Sequence, residues 1–212
     1  MNILFEGING SGKTTIIKQL IEELKNRGQS FYYISDLDSD TPLSPVLKQL
    51  FSASSFLEMK QDFKTSLFES LVLAAEHHYI QEKYRDKEGL IIYDRDFISV
   101  LSYQKDIIKK DYPKDWTIFY DAFRTIMQYQ LKYFDLICYI SIPIEDNIGR
   151  TEKRDNRKFS QDEKDMLVSL KNNMEKELYT YCEKTHTFLL DLDGRNSARH
   201  NCDIIINKIL EF

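Results

Sequence analysis

A glycine-rich stretch near the start of the chain constrains the possible folds more than any other feature. Residues 7–14 read G-I-N-G-S-G-K-T and match the phosphate-binding pattern G-x-x-x-x-G-K-[ST]. The apolar segment 3–5 predicts a buried strand before this P-loop, and apolar residues at helical spacing over 15–24 predict a helix after it, which stops at Gly28. A strand, a glycine loop and a helix N-terminus together form a cradle for anions. The sequence therefore predicts a binding site for a nucleoside triphosphate.

Individual P-loop residues have predicted roles. Backbone N–H groups are expected to surround the phosphates, Lys13 to reach the terminal ones, and the Thr14 hydroxyl to hold Mg²⁺. The predicted triphosphate-binding residues are Gly7, Asn9, Gly10, Ser11, Gly12, Lys13, Thr14 and Thr15.

Bulk properties are consistent with a cytoplasmic enzyme. A length of 212 residues suits one α/β domain, so we expect a single domain over 1–212. A net charge of −5 argues against a broad nucleic-acid-binding face. The three cysteines are well separated and suit reduced thiols, and the first predicted strand leaves no room for a signal peptide. No apolar run reaches the roughly 20 residues that span a bilayer, so no membrane partner is expected.

Strand-like and helical segments alternate along the whole chain. Predicted strands cover 3–5, 30–34, 90–93, 136–142 and 187–191. Predicted helices follow the P-loop and cover 43–51, 62–85, 97–107, 116–133, 145–154, 162–184 and 198–210. Strands separated by helices imply an α/β fold with a mostly parallel sheet covered on both faces.

Two further features favour a phosphoryl-transfer enzyme. The apolar strand 90–93 ends in Asp94 and Arg95. A carboxylate there suits the ordering of Mg²⁺ beside Thr14, and the arginine could contact the transferring phosphoryl group; a strand-end salt bridge is the alternative. Basic residues also crowd positions 150–158, where a mobile lid (about 150–160) would stabilise the charge that develops in transfer. A solvated helix end with i,i+4 ion pairs is the alternative there.

Several segments together resemble the thymidylate kinase family. Residues 5–15 read F-E-G-I-N-G-S-G-K-T-T, against F-E-G-I-D-G-S-G-K-T-T in the family. Residues 41–43 match its T-P-L, and residues 94–104, D-R-D-F-I-S-V-L-S-Y-Q, parallel its D-R-Y-I-x-S-S-L-A-Y-Q. The fourth strand, the basic lid and the Asp191–Gly194 segment follow in family order. This co-linear agreement over nearly the whole chain is more specific than any single motif.

The resemblance implies a P-loop kinase fold, in which helices flank a five-stranded parallel sheet and a short basic lid closes over the site. It also implies ATP and Mg²⁺ as the donor system, phosphoryl transfer to a nucleoside monophosphate, and a homodimer. Arg150 matches the lid position near the adenine, and Arg154 and Arg157 are expected to act from the lid. Ser11 stands where some members carry arginine, which suggests the subclass that draws its catalytic arginines from the lid.

The departures from the family fall on the acceptor side. The family's R-E-P-G-G-T, whose arginine contacts the acceptor phosphate, reads D-L-D-S-D-T here, with Asp36 in the arginine's place. In the family's L-F-A-A-D-R a ring and an arginine recognise thymine, and Leu73 and His77 stand at those positions. Asn9 replaces an aspartate that helps to position the acceptor, and Asp96 replaces a tyrosine.

These changes favour a hydroxyl-bearing acceptor. A monophosphate carries nearly two negative charges, which carboxylates over 36–40 would repel. A hydroxyl also benefits from a general base, and Asp36 or Asp38 could serve, as a carboxylate does in the related deoxynucleoside kinases; a plain polar turn is the alternative. The predicted catalytic residues are Lys13, Arg95, Arg154, Arg157 and Asp36. The predicted acceptor-binding residues are Asp36, Asp38, Leu73, His77, Arg95, Ser99, Tyr103 and Gln104.

Three functional classes remain open: a kinase for a small acceptor, a P-loop switch or regulatory ATPase, and a catalytically weakened nucleotide-binding module. The lid and the Asp94-Arg95 strand end favour the kinase, and the lack of N-K-x-D argues against a GTPase. Within the kinase class, a nucleoside or another hydroxyl-bearing small molecule is the expected acceptor, and dTMP is the alternative.

Overall fold

A computed structural model describes residues 1–35, 41–51, 66–129 and 134–212. Its strands are β1 (Asn2–Glu6), β2 (Phe31–Ile34), β3 (Leu90–Asp94), β4 (Leu136–Ser141) and β5 (Phe188–Asp193). Its helices are α1 (Lys13–Asn26), α2 (Ser44–Phe51), α3 (Ser66–Tyr84), α4 (Phe97–Asp111), α5 (Trp116–Tyr129), α6 (Ile144–Asp155), α7 (Gln161–Thr185) and α8 (Ala198–Ile209). No helix in the described ranges has both the length and the apolar character needed to cross a bilayer.

The five strands form one parallel sheet in the order β2-β3-β1-β4-β5. Every residue of β1 and β3 is buried, as expected for central strands of a sheet that is covered on both faces. Alternate residues of β1 enter different cores: Ile3 and Phe5 pack with α1 and α8, whereas Leu4 packs with α4, α5 and α7. The two core clusters therefore hold the helices on opposite faces of the sheet.

The carboxyl ends of the parallel strands lie at one edge of the sheet. The P-loop leaves β1 at this edge, Arg95 follows β3, α6 follows β4, and Gly194 follows β5. Because β1 lies between β3 and β4, the chain leaves it at the position where open α/β sheets commonly bind ligands.

The predicted α/β fold and all five strands are confirmed, with differences of one or two residues at the strand ends. The largest difference at a helix end is in α4, which was expected to stop at Ile107 and continues to Asp111. It continues because Ile108 is fully buried in the core, and the Ile108 carbonyl accepts the Tyr112 N–H that closes the helix. The predicted helical residues 62–65 and 130–133 lie outside the described residues.

Candidate active site

The P-loop joins β1 to α1 in backbone conformations that favour glycine. Gly10 has φ +83° and Gly12, which precedes the first turn of α1, has φ +97°. A Cβ atom on Gly10 would lie 2.7 Å from Thr151 Oγ1 and 2.8 Å from the Asn147 carbonyl oxygen, so the close approach of α6 also requires glycine. The N-terminus of α1 consequently opens into a cavity of about 520 Å³, lined by Ile8–Thr15, Asp94, Arg95, Arg150 and Arg154.

Lys13 and Asp94 form a buried ion pair at this cavity. Lys13 Nζ donates to Asp94 Oδ1, and the Tyr33 hydroxyl donates to Asp94 Oδ2 at 3.1 Å. The carboxylate at the end of β3 thus lies beside the P-loop lysine. This is the position expected of a residue that orders Mg²⁺ from the end of a strand.

Arg95 connects the P-loop to α4. It has φ +71°, a left-handed conformation that is uncommon for a residue other than glycine and is typical of functional sites. Its guanidinium donates to Asn9 Oδ1 at 2.9 Å, Ser99 Oγ at 3.2 Å and the Tyr103 hydroxyl at 3.3 Å. The structure therefore brings four predicted site residues into direct contact.

Glu6, at the end of β1, is fully buried behind Arg95. Its Oε1 accepts the backbone N–H groups of Asp96 and Ser99, both at 3.1 Å, and its Oε2 accepts the Ser99 hydroxyl at 2.5 Å. Burial raises the pKa of Glu6 to about 7, although the Ser99 hydrogen bond and the charges of Arg95 and Lys13 act in the opposite direction. This carboxyl group orients the first turn of α4 and lies close to the charge of Arg95.

The lid residues divide into two groups. Arg150 and Arg154 line the P-loop cavity, where Arg150 Nη1 donates to the Gly194 carbonyl at 3.0 Å. Arg157 instead donates to Glu163 Oε1 at 2.6 Å, and this hydrogen bond lowers the pKa of Glu163 to about 2. The structure thus brings two of the three predicted lid arginines to the P-loop.

Buried residues of α6 attach the lid to the P-loop. Asn147 is fully buried, and its Nδ2 donates to the Asn9 carbonyl at 3.1 Å. The Thr151 hydroxyl donates to the Asn147 carbonyl at 2.7 Å and lies against Gly10. A movement of the lid would therefore be transmitted directly to the phosphate-binding loop.

The remaining predicted acceptor residues lie on or against α3. Gln104 is buried and bonded to α3 at both ends, because its Nε2 donates to Glu69 Oε1 at 2.9 Å and its Oε1 accepts from Ser70 Oγ at 3.1 Å. Leu73 is half-buried. His77 is buried, and its Nδ1 lies 2.5 Å from Asp96 Oδ1. The predicted residues Asp36 and Asp38 lie outside the described residues.

The Thr14 hydroxyl and the Asp94 carboxylate fit the predicted Mg²⁺ site. Both residues line the P-loop cavity, and both offer the oxygen donors that this ion prefers. Within the described ranges, no group of three or more His, Cys, Asp or Glu side chains could hold a metal ion. Nucleotide-bound Mg²⁺ does not need such a group, because phosphates and waters supply most of its ligands.

Sequence reasoning missed several residues of the site. The sequence patterns assign no role to Glu6 or Asn147 and mark Asp96 only as a departure from the family. The acidic residue that ends the apolar run of β1 is a signal that could have identified Glu6, because a charged residue in a buried strand needs a specific reason. No comparable signal marked Asn147 or the contact of His77 with Asp96, since both depend on how helices pack.

Sequence comparison with known proteins matches the chain to one family of enzymes. The family model described as "Thymidylate kinase" matches residues 5–198. A protein named "Probable thymidylate kinase" from Methanobrevibacter smithii is 27% identical over 184 residues, which cover 84% of this chain and 84% of that protein. A protein of the same name from Caldivirga maquilingensis is 28% identical over 169 residues, which cover 78% of this chain and 74% of that protein.

Solved structures share the fold. Deoxyadenosine kinase from M. mycoides with the products dCMP and a flexible dCDP bound has a TM-score of 0.65 and 19% sequence identity, with 100% of both chains covered. The same enzyme with bound dATP has a TM-score of 0.66 and 18% identity, with 99% of both chains covered. At this level of identity the likeness establishes the fold alone.

Proposed function

The chain belongs to the thymidylate kinase family, and on that premise we propose that it transfers the γ-phosphoryl group of ATP to the hydroxyl of a nucleoside or a similar small molecule. The observation that carries this proposal is the P-loop cavity, which is lined by Lys13 at the start of α1, Arg95 after β3 and Arg154 from the lid. Three cations around one phosphate-binding loop match the charge that develops in phosphoryl transfer.

On the donor side, the P-loop and the N-terminus of α1 bind the triphosphate, with Lys13 at its terminal phosphates. Arg150, which contacts the Gly194 carbonyl beside the P-loop, is proposed to lie near the adenine. Thr14 and Asp94 would hold Mg²⁺, which when bound supplies positive charge to the phosphate oxygens.

On the acceptor side, the charges around Arg95 support a neutral acceptor. The carboxyl group of Glu6 lies close to its charge, and the carboxylate of Asp96, the next residue, is paired with His77, which stands at the place of a family arginine. A monophosphate would add nearly two negative charges to this region, whereas a nucleoside adds none.

The proposed reaction is a direct displacement. The acceptor hydroxyl oxygen attacks the γ-phosphorus and ADP leaves. The hydroxyl proton passes to a carboxylate, for which Asp36 or Asp38 is proposed because both follow β2, whose carboxyl end lies at the P-loop edge of the sheet. Arg95 steadies the group in transfer, while Arg154 and Arg157 complete the neutralisation from the lid.

The donor assignment is tested by substituting Lys13 with alanine. We expect phosphoryl transfer to fall by several orders of magnitude, since this chemistry depends on electrostatic stabilisation. Lys18, which is exposed on α1, provides the matched control Lys18→Ala, which should keep full activity. Unchanged transfer in Lys13→Ala would refute the assignment.

The acceptor assignment is tested with ATP·Mg²⁺ and a panel of thymidine, other nucleosides, dTMP and small polar alcohols at matched concentrations. We expect turnover of nucleosides and poor turnover of dTMP. A kcat/KM for dTMP near the typical enzyme range of about 10⁴–10⁸ M⁻¹s⁻¹ would instead establish a true thymidylate kinase. ATP binding without turnover of any acceptor would favour a non-catalytic nucleotide-binding module.

A homodimer is the proposed assembly. Apolar side chains are exposed on the outer faces of α3 and α5, two helices that pack together: Phe68, Leu71 and Tyr79 on α3, and Ile118 and Ile126 on α5. Their spacing gives each helix an outward apolar stripe, which a second copy of the chain would cover.

Sedimentation or light scattering of charged variants tests this assembly. Leu71→Glu and Ile118→Glu should convert the dimer to a monomer, because each would bury a charge in the interface. Val168→Glu alters an exposed apolar residue on α7 and should leave the dimer intact. A monomeric wild-type protein at micromolar concentration would contradict the proposal.

The cytoplasm, where ATP is abundant, remains the predicted compartment.

A further inference from the structure

The buried carboxyl group of Glu6 caps the start of α4 from a different element of the fold, β1. Asp96 precedes this helix, but its own carboxylate accepts the Phe97 N–H and contacts His77. In a capping box, the residue before a helix and the third helical residue bond to each other's N–H groups through their side chains. Here both of these N–H groups, of Asp96 and Ser99, donate to Glu6 Oε1 at 3.1 Å. Glu6 therefore replaces the capping box of α4.

The turn between β3 and α4 is bonded to β1 on both sides of Arg95. Arg95 has φ +71°, and residues other than glycine keep such a conformation only where the surrounding structure holds it. The Phe5 carbonyl accepts the Arg95 N–H at 3.0 Å, and Glu6 accepts the N–H of the next residue, Asp96. Two consecutive residues of β1 thus fix the backbone from which the Arg95 side chain projects.

Ser99 connects the same carboxyl group to the Arg95 guanidinium. Its hydroxyl lies 2.5 Å from Glu6 Oε2, and its oxygen accepts Arg95 Nη1 at 3.2 Å. A serine hydroxyl has one proton and two lone pairs, so its bond to Glu6 fixes its direction and leaves a lone pair for Arg95. This holds for an ionised Glu6, which accepts the hydroxyl proton, and for a protonated Glu6, which donates its own. Glu6 therefore acts on both ends of Arg95, the backbone and the guanidinium.

The guanidinium at the end of this network lies at the P-loop cavity. Arg95 lines the cavity, and its Nη2 donates to Asn9 Oδ1 at 2.9 Å. A charged group stabilises a transferring phosphoryl group only from the correct position, and a misplacement of about 1 Å can lower the rate about 100-fold. Glu6 is fully buried behind Arg95, so the network gives it an influence on the cavity without direct contact.

We propose that Glu6 is a positioning residue for phosphoryl transfer, which orients the Arg95 guanidinium at the P-loop cavity through Ser99 and through the turn before α4. Its effect is on kcat, because it acts through Arg95 and not by contact with ATP. The kinetic part of this inference rests on the proposed function, since it assumes that Arg95 steadies the group in transfer. The structural part, the orientation of Arg95, does not depend on that function.

The kinetic part is tested with ATP·Mg²⁺ and thymidine, deoxycytidine, deoxyadenosine and dTMP, using the acceptor that the wild type phosphorylates most efficiently. Ser99→Ala removes the hydroxyl between Glu6 and Arg95 and should lower kcat about tenfold, as expected for one hydrogen bond to a charged group. Glu6→Met keeps the size of the side chain but removes its hydrogen bonds, and should lower kcat on the order of 100-fold. ATP affinity, measured by calorimetric titration, should stay within about threefold of wild type in both variants.

Glu6→Gln is the conservative variant that should rescue kcat. Its amide oxygen can accept both backbone N–H groups and its NH₂ group can donate to Ser99, so kcat should stay within about threefold of wild type. Ser102→Ala is the matched control, because Ser102 is also buried on α4 and its hydroxyl donates to the Ile98 carbonyl. A kcat in Glu6→Gln as low as in Glu6→Met would overturn the proposal, as would equal losses in Ser99→Ala and Ser102→Ala.

Coupling to Arg95 separates positioning from a general loss of structure and from a direct contact of Ser99 with the acceptor. In an Arg95→Ala background the positioned group is absent, so adding Ser99→Ala or Glu6→Met should lower kcat by no more than about twofold. Single-turnover measurements at high enzyme concentration resolve the low rates of these double variants. Rate losses that are fully additive would overturn the proposal, and Ser99→Ala decides this even where Glu6→Met fails to fold.

Crystal structures of the wild type, Glu6→Gln, Glu6→Met and Ser99→Ala test the orientation of Arg95 without an activity assay. We expect the Arg95 guanidinium to contact Asn9 in the wild type and in Glu6→Gln and to leave this position in the other two variants. An Arg95 that keeps its position in all four proteins would overturn the proposal. A wild type that phosphorylates none of the four acceptors would refute the proposed function, whereas the crystal structures would still decide whether Glu6 orients Arg95. A displaced Arg95 with unchanged kcat would overturn the kinetic part.

Discussion

Replacing Glu6 with glutamine tests how much the buried carboxyl group at the end of β1 costs the folded protein. Burial raises the pKa of Glu6 from 4.5 to about 7. In the unfolded chain the group regains its ordinary pKa, so between these two values the folded protein binds more protons than the unfolded chain. The free energy of unfolding therefore falls as the pH rises through this window. At 1.36 kcal/mol per pKa unit, the full difference corresponds to roughly 3 kcal/mol.

In Glu6→Gln this contribution should vanish. The amide oxygen can still accept the N–H groups of Asp96 and Ser99, and it carries no charge at any pH. Any change in hydrogen bonding shifts the free energy of unfolding equally at every pH, so the pH slope isolates the carboxyl group. The variant should gain stability relative to wild type by roughly 3 kcal/mol between pH 4.5 and pH 8.

Urea denaturation at half-unit steps from about pH 4.5 to 8 measures this difference. Glu22→Gln, which removes an exposed carboxylate from α1, is the control for a change in net charge and should follow the wild-type curve. Parallel curves for wild type and Glu6→Gln would refute the reasoning. A difference that shrinks with pH would show that the hydrogen bonds from Ser99 and the charge of Arg95 outweigh burial.

Three further outcomes are expected. Arg154→Ala should lower kcat more than it lowers ATP affinity, as expected for a contact made mainly in the transition state. Equal losses of kcat in steady-state kinetics and of affinity in ATP titration would indicate that Arg154 holds ATP equally in the ground state. Glu163→Gln should release Arg157 from its ion pair with Glu163 and raise kcat by up to about fivefold. The gain is limited because partly exposed ion pairs contribute roughly 1 kcal/mol or less of stabilisation. A lower kcat would show that the pair supports the active lid. In a double-mutant cycle, His77→Gln and Asp96→Asn should show a coupling free energy of at least about 1 kcal/mol in denaturation, whereas additivity within about 0.5 kcal/mol would contradict a direct interaction.

The P-loop and the sheet could be predicted because their signals are local in sequence. Gly10 and Gly12 occur where the backbone has positive φ, so their identity reports the loop conformation directly. The strands are short apolar runs bounded by polar residues, and the parallel arrangement follows from the helices between them. Asp94 and Arg95 line the P-loop cavity for the same reason, because the residue that ends a parallel strand lies at the edge of the sheet where open α/β sheets commonly bind ligands.

The acceptor side could not be predicted to the same depth, because it depends on pairs of residues that are far apart in sequence. His77 and Asp96 were each identified as departures from the family, but their sequence separation gives no sign that they touch. Their contact changes the meaning of both, because the position that carries an arginine in the family holds here a histidine that is already paired with a buried carboxylate. A replacement of either residue alone would leave a buried charge or ring nitrogen without its partner, which is strongly unfavourable. The two departures are therefore best understood as one linked change, whose effect on the proposed acceptor side has to be inferred from the pair and not from either residue alone.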